Sequence, residues 1–320
     1  MCGYPVVGNV STWIDQVKMT YTMLGDNRVL VSVQALRGFA FLLIFLWHLN
    51  ILHLGSAGVS IFFVLSGFLL TLRYKEDYPQ SRIRDSLKFT YDHIKKLYLL
   101  YVITSIACLP FLIPKRHGDW LRILKRILVN LILIQTWFTK IDIRYALNNP
   151  SWYLSAMVFI YMLFPHIRKG IRSCRTPNSL VFLMLGTALI QLLYSWAIHR
   201  LQLSGKIDFS TMRALIYNEP YTRICDFIIG CTLGRLYTYL SGSGKAYRIS
   251  DIIGLLIFLA TCVIRELFYM DKYQWIELVT LALPGTCCIV WFLPATAALS
   301  NWYPLFLRLF FSEISAPRRF

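Results

Sequence analysis

The chain has 320 residues, of which 57% are hydrophobic and only 15% charged, where soluble domains carry about a quarter charged residues. Its 33 Lys and Arg against 16 Asp and Glu give a net charge of +17. These cations sit in short loops between long apolar blocks rather than on one stripe, which argues against nucleic acid and for lipid headgroups and the positive-inside bias.

Residues 1–28 are polar and mixed, with no basic start followed by an apolar run, so no secretory signal is read there. Met19 or Met23 is an alternative start. Residues 29–320 read as one membrane domain. Apolar spans are predicted at 35–54, 56–73, 94–113, 123–139, 152–167, 179–198, 221–240, 251–270 and 275–299, each near the ~17–25 residues that cross a bilayer core. A tenth begins at Pro304, but residues 305–311 are too few to cross and residues 312–320 are polar and basic. The expected fold is therefore all-α, a polytopic membrane bundle of about nine transmembrane helices plus a truncated tenth. The loop 73–96 holds seven Lys or Arg, which places it, and the N-terminus with it, in the cytoplasm.

The eight cysteines are scattered through the apolar blocks without a C-x-x-C pair. They read as packed thiols rather than disulfides or metal ligands.

Polar groups inside a span carry the functional signal. Arg37 opens the first span and His48 follows eleven residues later. Eleven steps of ~100° make three turns plus roughly 20°, so both share one helix face, about 16 Å apart along the axis. That arrangement suits a ligand with an anionic head and a reactive tail. The plainer alternative is a snorkelling arginine and a histidine bonded between helices. His53 lies five positions beyond His48, off the i, i+4 face of a helical metal pair, so no metal site is read. In the second span, Gly58, Ser66 and Gly67 are small enough for close backbone approach.

L-R-G-F-A followed by W-H, then G-V-S-I-F-F-V-L-S-G-F-L-L-T, resembles acyltransferase family 3. These are integral-membrane enzymes, mainly bacterial, that move acyl groups from acyl-CoA onto sugars of surface polysaccharides and related acceptors. Arg37 and His48 match the family's basic residue and histidine in kind and spacing. His93 and Lys96 stand where the family has two arginines three apart. Ser151-Trp152-Tyr153-Leu154 with Tyr161 and Pro165, Arg223 to Phe227 with Gly230 and Gly234, and Ser312-Glu313-Ile314-Ser315 resemble later blocks. The family's last membrane helix follows that final block, whereas this sequence turns to Ala-Pro-Arg-Arg-Phe.

The resemblance implies O-acylation of a carbohydrate hydroxyl in a bacterial plasma membrane. Acyl-CoA, acetyl-CoA foremost, would be the donor substrate, with no other cofactor. His48 would be the general base or itself accept the acyl group. Arg37, Arg73, His93 and Lys96 would grip the donor phosphates. Ser66, Trp152, Arg223 and Asp226 would line the acyl channel or the acceptor site. On spacing alone, Arg223 and Asp226 pair with each other at i, i+3. Trp152, Tyr153, Trp275 and Trp302 read first as interfacial belt residues, and Arg265, Glu266 and Glu277 as solvated span ends. The rival readings are an oligosaccharide exporter and an inactive truncated relative. Export needs a polar path, and spans 179–198 and 251–264 read as almost wholly apolar.

Overall fold

The computed structural model describes residues 27–74, 82–112 and 120–241, together with Val263. The segment 1–26, the spans 251–270 and 275–299, the start of a tenth, and Arg265, Glu266, Trp275, Glu277 and Trp302 lie outside the described residues. Among the described residues every regular element is helical. In chain order these are α1 (Asn27–His48), α2 (Gly55–Arg73), α3 (Ile83–Leu112), α4 (Trp120–Leu131), a 3₁₀ turn (Gln135–Trp137), α5 (Ile141–Arg144), a second 3₁₀ turn (Asn149–Ser151), α6 (Trp152–Ser173), α7 (Pro177–Leu203), α8 (Phe209–Arg213), a π turn (Ala214–Asn218) and α9 (Pro220–Ser241).

The bundle has two chemically different ends. Helices α1 and α2 form a hairpin that turns between His48 and Gly55, with Asn50 at φ 55°. Trp152 at the start of α6 and Asn218 just before α9 line the same cavity as His48. Arg168, Arg172 and Arg235, late in α6 and α9, share a different cavity with Tyr74. Helices α2, α6 and α9 therefore all run from a His48 end to an Arg73 end.

Helix α2 is the axle. It is apolar on every side and most of its residues are buried, as expected of a helix surrounded by others. Close crossing explains its small residues. A Cβ on Gly67 would lie 2.2 Å from the Phe227 carbonyl oxygen, and one on Gly230 of α9 would lie 2.0 Å from that of Val64. Gly58 does the same against α1, where a Cβ would meet the Ala40 carbonyl at 2.5 Å. Around this axle, Leu36, Ala40, Ile61, Val64, Leu65, Phe68, Ile229 and Leu233 belong to one core, and Phe89, Trp152, Ile160, Phe164 and Phe227 to another.

The outside of the bundle is apolar. Phe41, Leu99, Ile103, Leu121, Phe182 and Ile190 are all more than half exposed. Helix α4 inverts the soluble pattern outright: Arg126 and Asn130 are buried while Trp120, Leu121, Leu124 and Leu128 face outward. Helices α2 and α7 are long and apolar enough to cross a membrane.

Several predicted boundaries are corrected. The first span ends as helix at His48, so residues 49–54 are connection and His53 is not helical. The third span begins eleven residues early, at Ile83, because residues 83–93 continue its helical pattern in polar form. The span at 123–139 is not one helix. Its helix ends at Leu131, Leu133 adopts φ 57°, and the chain then turns through Gln135–Trp137. The inward Arg126 and Asn130 explain the break: Arg126 pairs with Asp142, and the Asn130 amide donates to the Ile143 carbonyl at 2.8 Å, which folds 140–144 back onto α4. Helix α7 is also less apolar than it reads. Thr187, Gln191, Ser195 and His199, four apart, are all buried, so one inner edge of the helix is polar.

Candidate active site

A cavity of about 610 Å³ opens at the His48 end. Its walls come from four places: Ile44, Trp47 and His48 of α1, Val59 and Phe62 of α2, the 141–153 segment, and Phe209 to Asn218. His48 is exposed to it and stands at the last position of α1. The His48 Nδ1 lies 2.8 Å from the Ile44 carbonyl oxygen. A carbonyl can only accept, so Nδ1 carries the proton and Nε2 of the neutral ring holds the lone pair. Trp47 sets its ring edge against the imidazole at 4.7 Å. The helix thus presents a base with its tautomer chosen by its own backbone.

The rest of the wall contains residues the sequence reading missed. Tyr145 donates to Asn218 Oδ1 at 2.9 Å, while Asn218 Nδ2 is buried with no hydrogen-bond partner among the described residues. Arg144 is 1% exposed; it donates to the Phe138 carbonyl at 2.7 Å, and its Nε has no hydrogen-bond partner among the described residues. Arg213 is exposed on the opposite rim. A π turn over Ala214–Asn218 advances the side chains by one extra residue per turn and aims Tyr217 and Asn218 into the cavity, a use such turns commonly serve. Trp152 is 8% exposed and packs its ring 5.0 Å from Tyr217. It is a cavity wall, which corrects the belt reading for this residue. The only sequence signal for this group was polar density in short segments between apolar blocks.

Glu219 follows Asn218 in the connection just before α9 and is buried. Burial pushes its carboxyl up to about 7, and the Arg144 guanidinium opposes the shift. The folded state therefore holds this proton more tightly than the unfolded chain, whose ordinary value is 4.5. Its stabilising contribution is complete below pH 4.5 and is lost as pH rises to about 7. The expected result is a melting temperature in detergent that falls across this window in the native protein and is flatter in Glu219→Gln. An unchanged slope in the variant assigns the titration elsewhere.

Three of the predicted donor residues, Arg37, Arg73 and His93, lie toward the Arg73 end. Arg37 is half-buried and acts electrostatically on the Tyr153 and Tyr161 phenols. Ser66 donates to the Phe62 carbonyl at 2.8 Å and lies within interaction range of Tyr153. The His93 ring tilts against Tyr161 with centroids 5.3 Å apart, its Nδ1 donates to the Phe89 carbonyl at 2.7 Å, and its Nε2 lies 3.4 Å from the Tyr74 hydroxyl. Arg73 sits next to Tyr74, its guanidinium 5.5 Å from that ring. Tyr153 also lines the large cavity, so it links the two ends. Lys96 is exposed on the flank of α3.

Arg223 and Asp226 line neither cavity. Both are fully buried and pair at 2.9 Å. Ser60 donates to Asp226 Oδ2 and Gln191 to Oδ1, each at 3.0 Å, and Arg223 Nε donates to the Tyr217 carbonyl at 2.7 Å. They form the i, i+3 pair that their spacing predicted. The same network accounts for Gln191 of the polar edge on α7.

A family model described as an acyltransferase domain matches residues 30–316. Among curated proteins, the chain is 25% identical over 264 residues to the O-acetyltransferase OatA of Staphylococcus aureus, covering 78% of this chain and 42% of that protein. It is 30% identical over 157 residues to the acyltransferase MdmB of Streptomyces mycarofaciens, covering 42% of this chain and 38% of the relative. The chain thus spans about two-fifths of the length of these relatives. No solved structure matches it.

Proposed function

The chain belongs to the acyltransferase domain family that its residues 30–316 match, and from this premise we propose an integral-membrane enzyme that moves an acyl group, acetyl foremost, from acyl-CoA to a hydroxyl of a surface carbohydrate. One observation carries the chemistry: His48, its Nδ1 proton committed to Ile44, offers Nε2 to a cavity large enough for a sugar. In the direct route the acceptor O–H gives its proton to Nε2 as the oxygen bonds to the thioester carbonyl. The C–S bond then breaks, and the departing thiolate takes the proton back from the imidazolium. In the covalent route Nε2 attacks first and the C–S bond breaks to release a thiolate; the acyl-imidazolium then passes its acyl group to the hydroxyl oxygen, and the hydroxyl proton goes to the thiolate.

The Arg37, Arg73, Tyr74, His93 and Tyr161 cluster supports donor entry from the Arg73 end, with the pantetheine arm running past Tyr153 to His48. The outward apolar faces and the two long apolar helices support a bilayer around the bundle, and the basic loop 73–96 supports a cytoplasmic Arg73 end in a bacterial plasma membrane. About nine crossing helices remain our reading of the whole chain. The export reading gains the polar edge of α7, but Gln191 there is consumed by Asp226 and the Thr222 carbonyl, which favours packing over passage.

Sidedness provides the test. In a background lacking the native thiols, Arg175→Cys at the Arg73 end is expected to react with an impermeant maleimide only after the inner face is opened. Ser204→Cys at the His48 end is expected to react from outside. Proteoliposomes of the same orientation are expected to transfer radiolabelled acetyl from acetyl-CoA supplied on the Arg175 side to a carbohydrate supplied on the Ser204 side. Labelling in the opposite sense, or no consumption of acetyl-CoA with any carbohydrate acceptor, would overturn the reading.

A further inference from the structure

Three helices begin at the large cavity. Helix α2 starts at Gly55 and α6 at Trp152, both in its lining, and α9 starts at Pro220, two residues after Asn218. Neither Leu54 nor Ser151 caps its helix with a side-chain hydrogen bond. Each N-terminus therefore turns partial positive charge and its first backbone N–H groups toward this end of the bundle. Side chains set into the same wall add donors. Because Tyr145 donates to Asn218 Oδ1, the carboxamide is oriented: its oxygen is taken and its Nδ2 can only donate. Asn218 is 1% exposed, and Nδ2 has no hydrogen-bond partner among the described residues. Arg144 is equally buried and its Nε is likewise unmet among the described residues. Two links hold Arg144 and Asn218 side by side: the hydrogen bond from the next residue, Tyr145, and the field of the guanidinium at Glu219, which follows Asn218.

These donors select the ligand's chemistry. A buried donor that bonds to nothing is costly, and two together in the wall of a cavity call for a ligand that completes them. A sugar hydroxyl both donates and accepts, whereas a carboxylate only accepts, on two oxygens that an amide N–H and a guanidinium N–H can meet together. The protein's own carboxylates nearby are engaged: Asp142 pairs with Arg126, and Asp208 accepts from the Ser210 and Thr211 hydroxyls. Burial pushes Glu219 up to about 7, so below that pH it offers Arg144 little negative charge. Arg213, exposed at the rim, puts a second cation on the same cavity, and cations lining a cleft draw anions into it. We propose that the acceptor taken into this cavity is an acidic carbohydrate, its carboxylate received by Asn218 and Arg144 and drawn in by Arg213. That it is an acceptor rests on the acyl-transfer reading above; selective binding of an acidic sugar does not.

The experiment compares the whole chain and its Asn218→Asp and Arg213→Gln variants in nanodiscs. Binding of methyl glucuronide and methyl galacturonide, and of the neutral methyl glucoside and methyl galactoside, is measured by ligand-observed NMR titration at low and high salt. The same four glycosides are then supplied as acceptors with radiolabelled acetyl-CoA. The wild type is expected to bind each uronide about tenfold or more tighter than its neutral partner, with a preference that shrinks in high salt. Asn218→Asp keeps the size and the hydrogen bond from Tyr145 but sets a negative charge against the ligand, so uronide affinity should fall to that of the neutral glycoside or below. Arg213→Gln should lower it by a smaller factor; because Arg213 is exposed, this variant reports even where Asn218→Asp folds poorly. Equal binding of uronides and neutral glycosides by the wild type overturns the proposal, as does a preference that both variants keep in full. Acetyl transfer to the neutral glycosides alone overturns it too and leaves the acyl-transfer reading standing. Selective uronide binding with no consumption of acetyl-CoA has the opposite meaning: the acidic-sugar site stands and the acyl-transfer reading fails.

Discussion

Replacing His48 with alanine is expected to lower acyl transfer by roughly 10²–10⁴-fold, the usual contribution of a positioned general acid–base. The fold should survive, because the imidazole is exposed and its one described hydrogen bond returns to its own helix at Ile44. His48→Gln keeps a polar side chain but cannot shuttle the proton, so it should be as inactive as alanine. Arg37→Ala should act differently. It is half-buried some 11 residues, or about 16 Å, from His48 along α1, so its loss should raise the donor KM with less effect on turnover at saturation. The measurement is steady-state transfer from acetyl-CoA by reconstituted protein whose melting temperature matches the parent. Normal turnover in His48→Ala would remove this residue from the chemistry.

The second large effect is on stability. Asp226→Ala should destabilise the bundle by on the order of 3–5 kcal/mol, since it leaves the Arg223 guanidinium, fully buried, without its counter-charge. The Ser60 and Gln191 hydrogen bonds disappear with it. The double variant Arg223→Met with Asp226→Leu should recover much of the loss, as apolar replacements of buried pairs commonly do. Yield and melting temperature in one detergent check this. If Asp226→Ala instead melts like the parent but cannot transfer acyl groups, the pair serves the acceptor after all.

Much of the scaffold was legible because hydrocarbon length constrains it. The predicted 56–73 and 221–240 correspond to Gly55–Arg73 and Pro220–Ser241, and Gly58 and Gly67 were singled out for the close approach they make. Windows of hydropathy fail where a helix turns its polar side inward. Arg126 and Asn130 ended α4 early, and the four-residue spacing of Thr187, Gln191, Ser195 and His199 was hidden among the leucines of α7. The site divides the same way. His48 and Arg37 were visible because one helix carries both, and Trp152 because it opens another. Arg144 and Tyr145 reach the cavity from the end of a four-residue helix and Asn218 from a π turn, whose register only the packed neighbours decide, so no local periodicity announced them.

The axle has a consequence for how the chain is made. Helix α2 leaves the ribosome early, yet its Ser60 finds Asp226 only 166 residues later. At ~5–20 residues per second, that interval is on the order of 10–30 s of synthesis. Throughout it, the Gly67 face that will meet α9 lacks that partner, and a polar hydroxyl waits in the apolar phase. The element most deeply enclosed in the finished bundle is thus among the longest exposed during assembly. An insertase or another early helix must shelter it until α9 arrives. Slowing synthesis between residues 74 and 220 should therefore increase misassembly more than slowing it before residue 55.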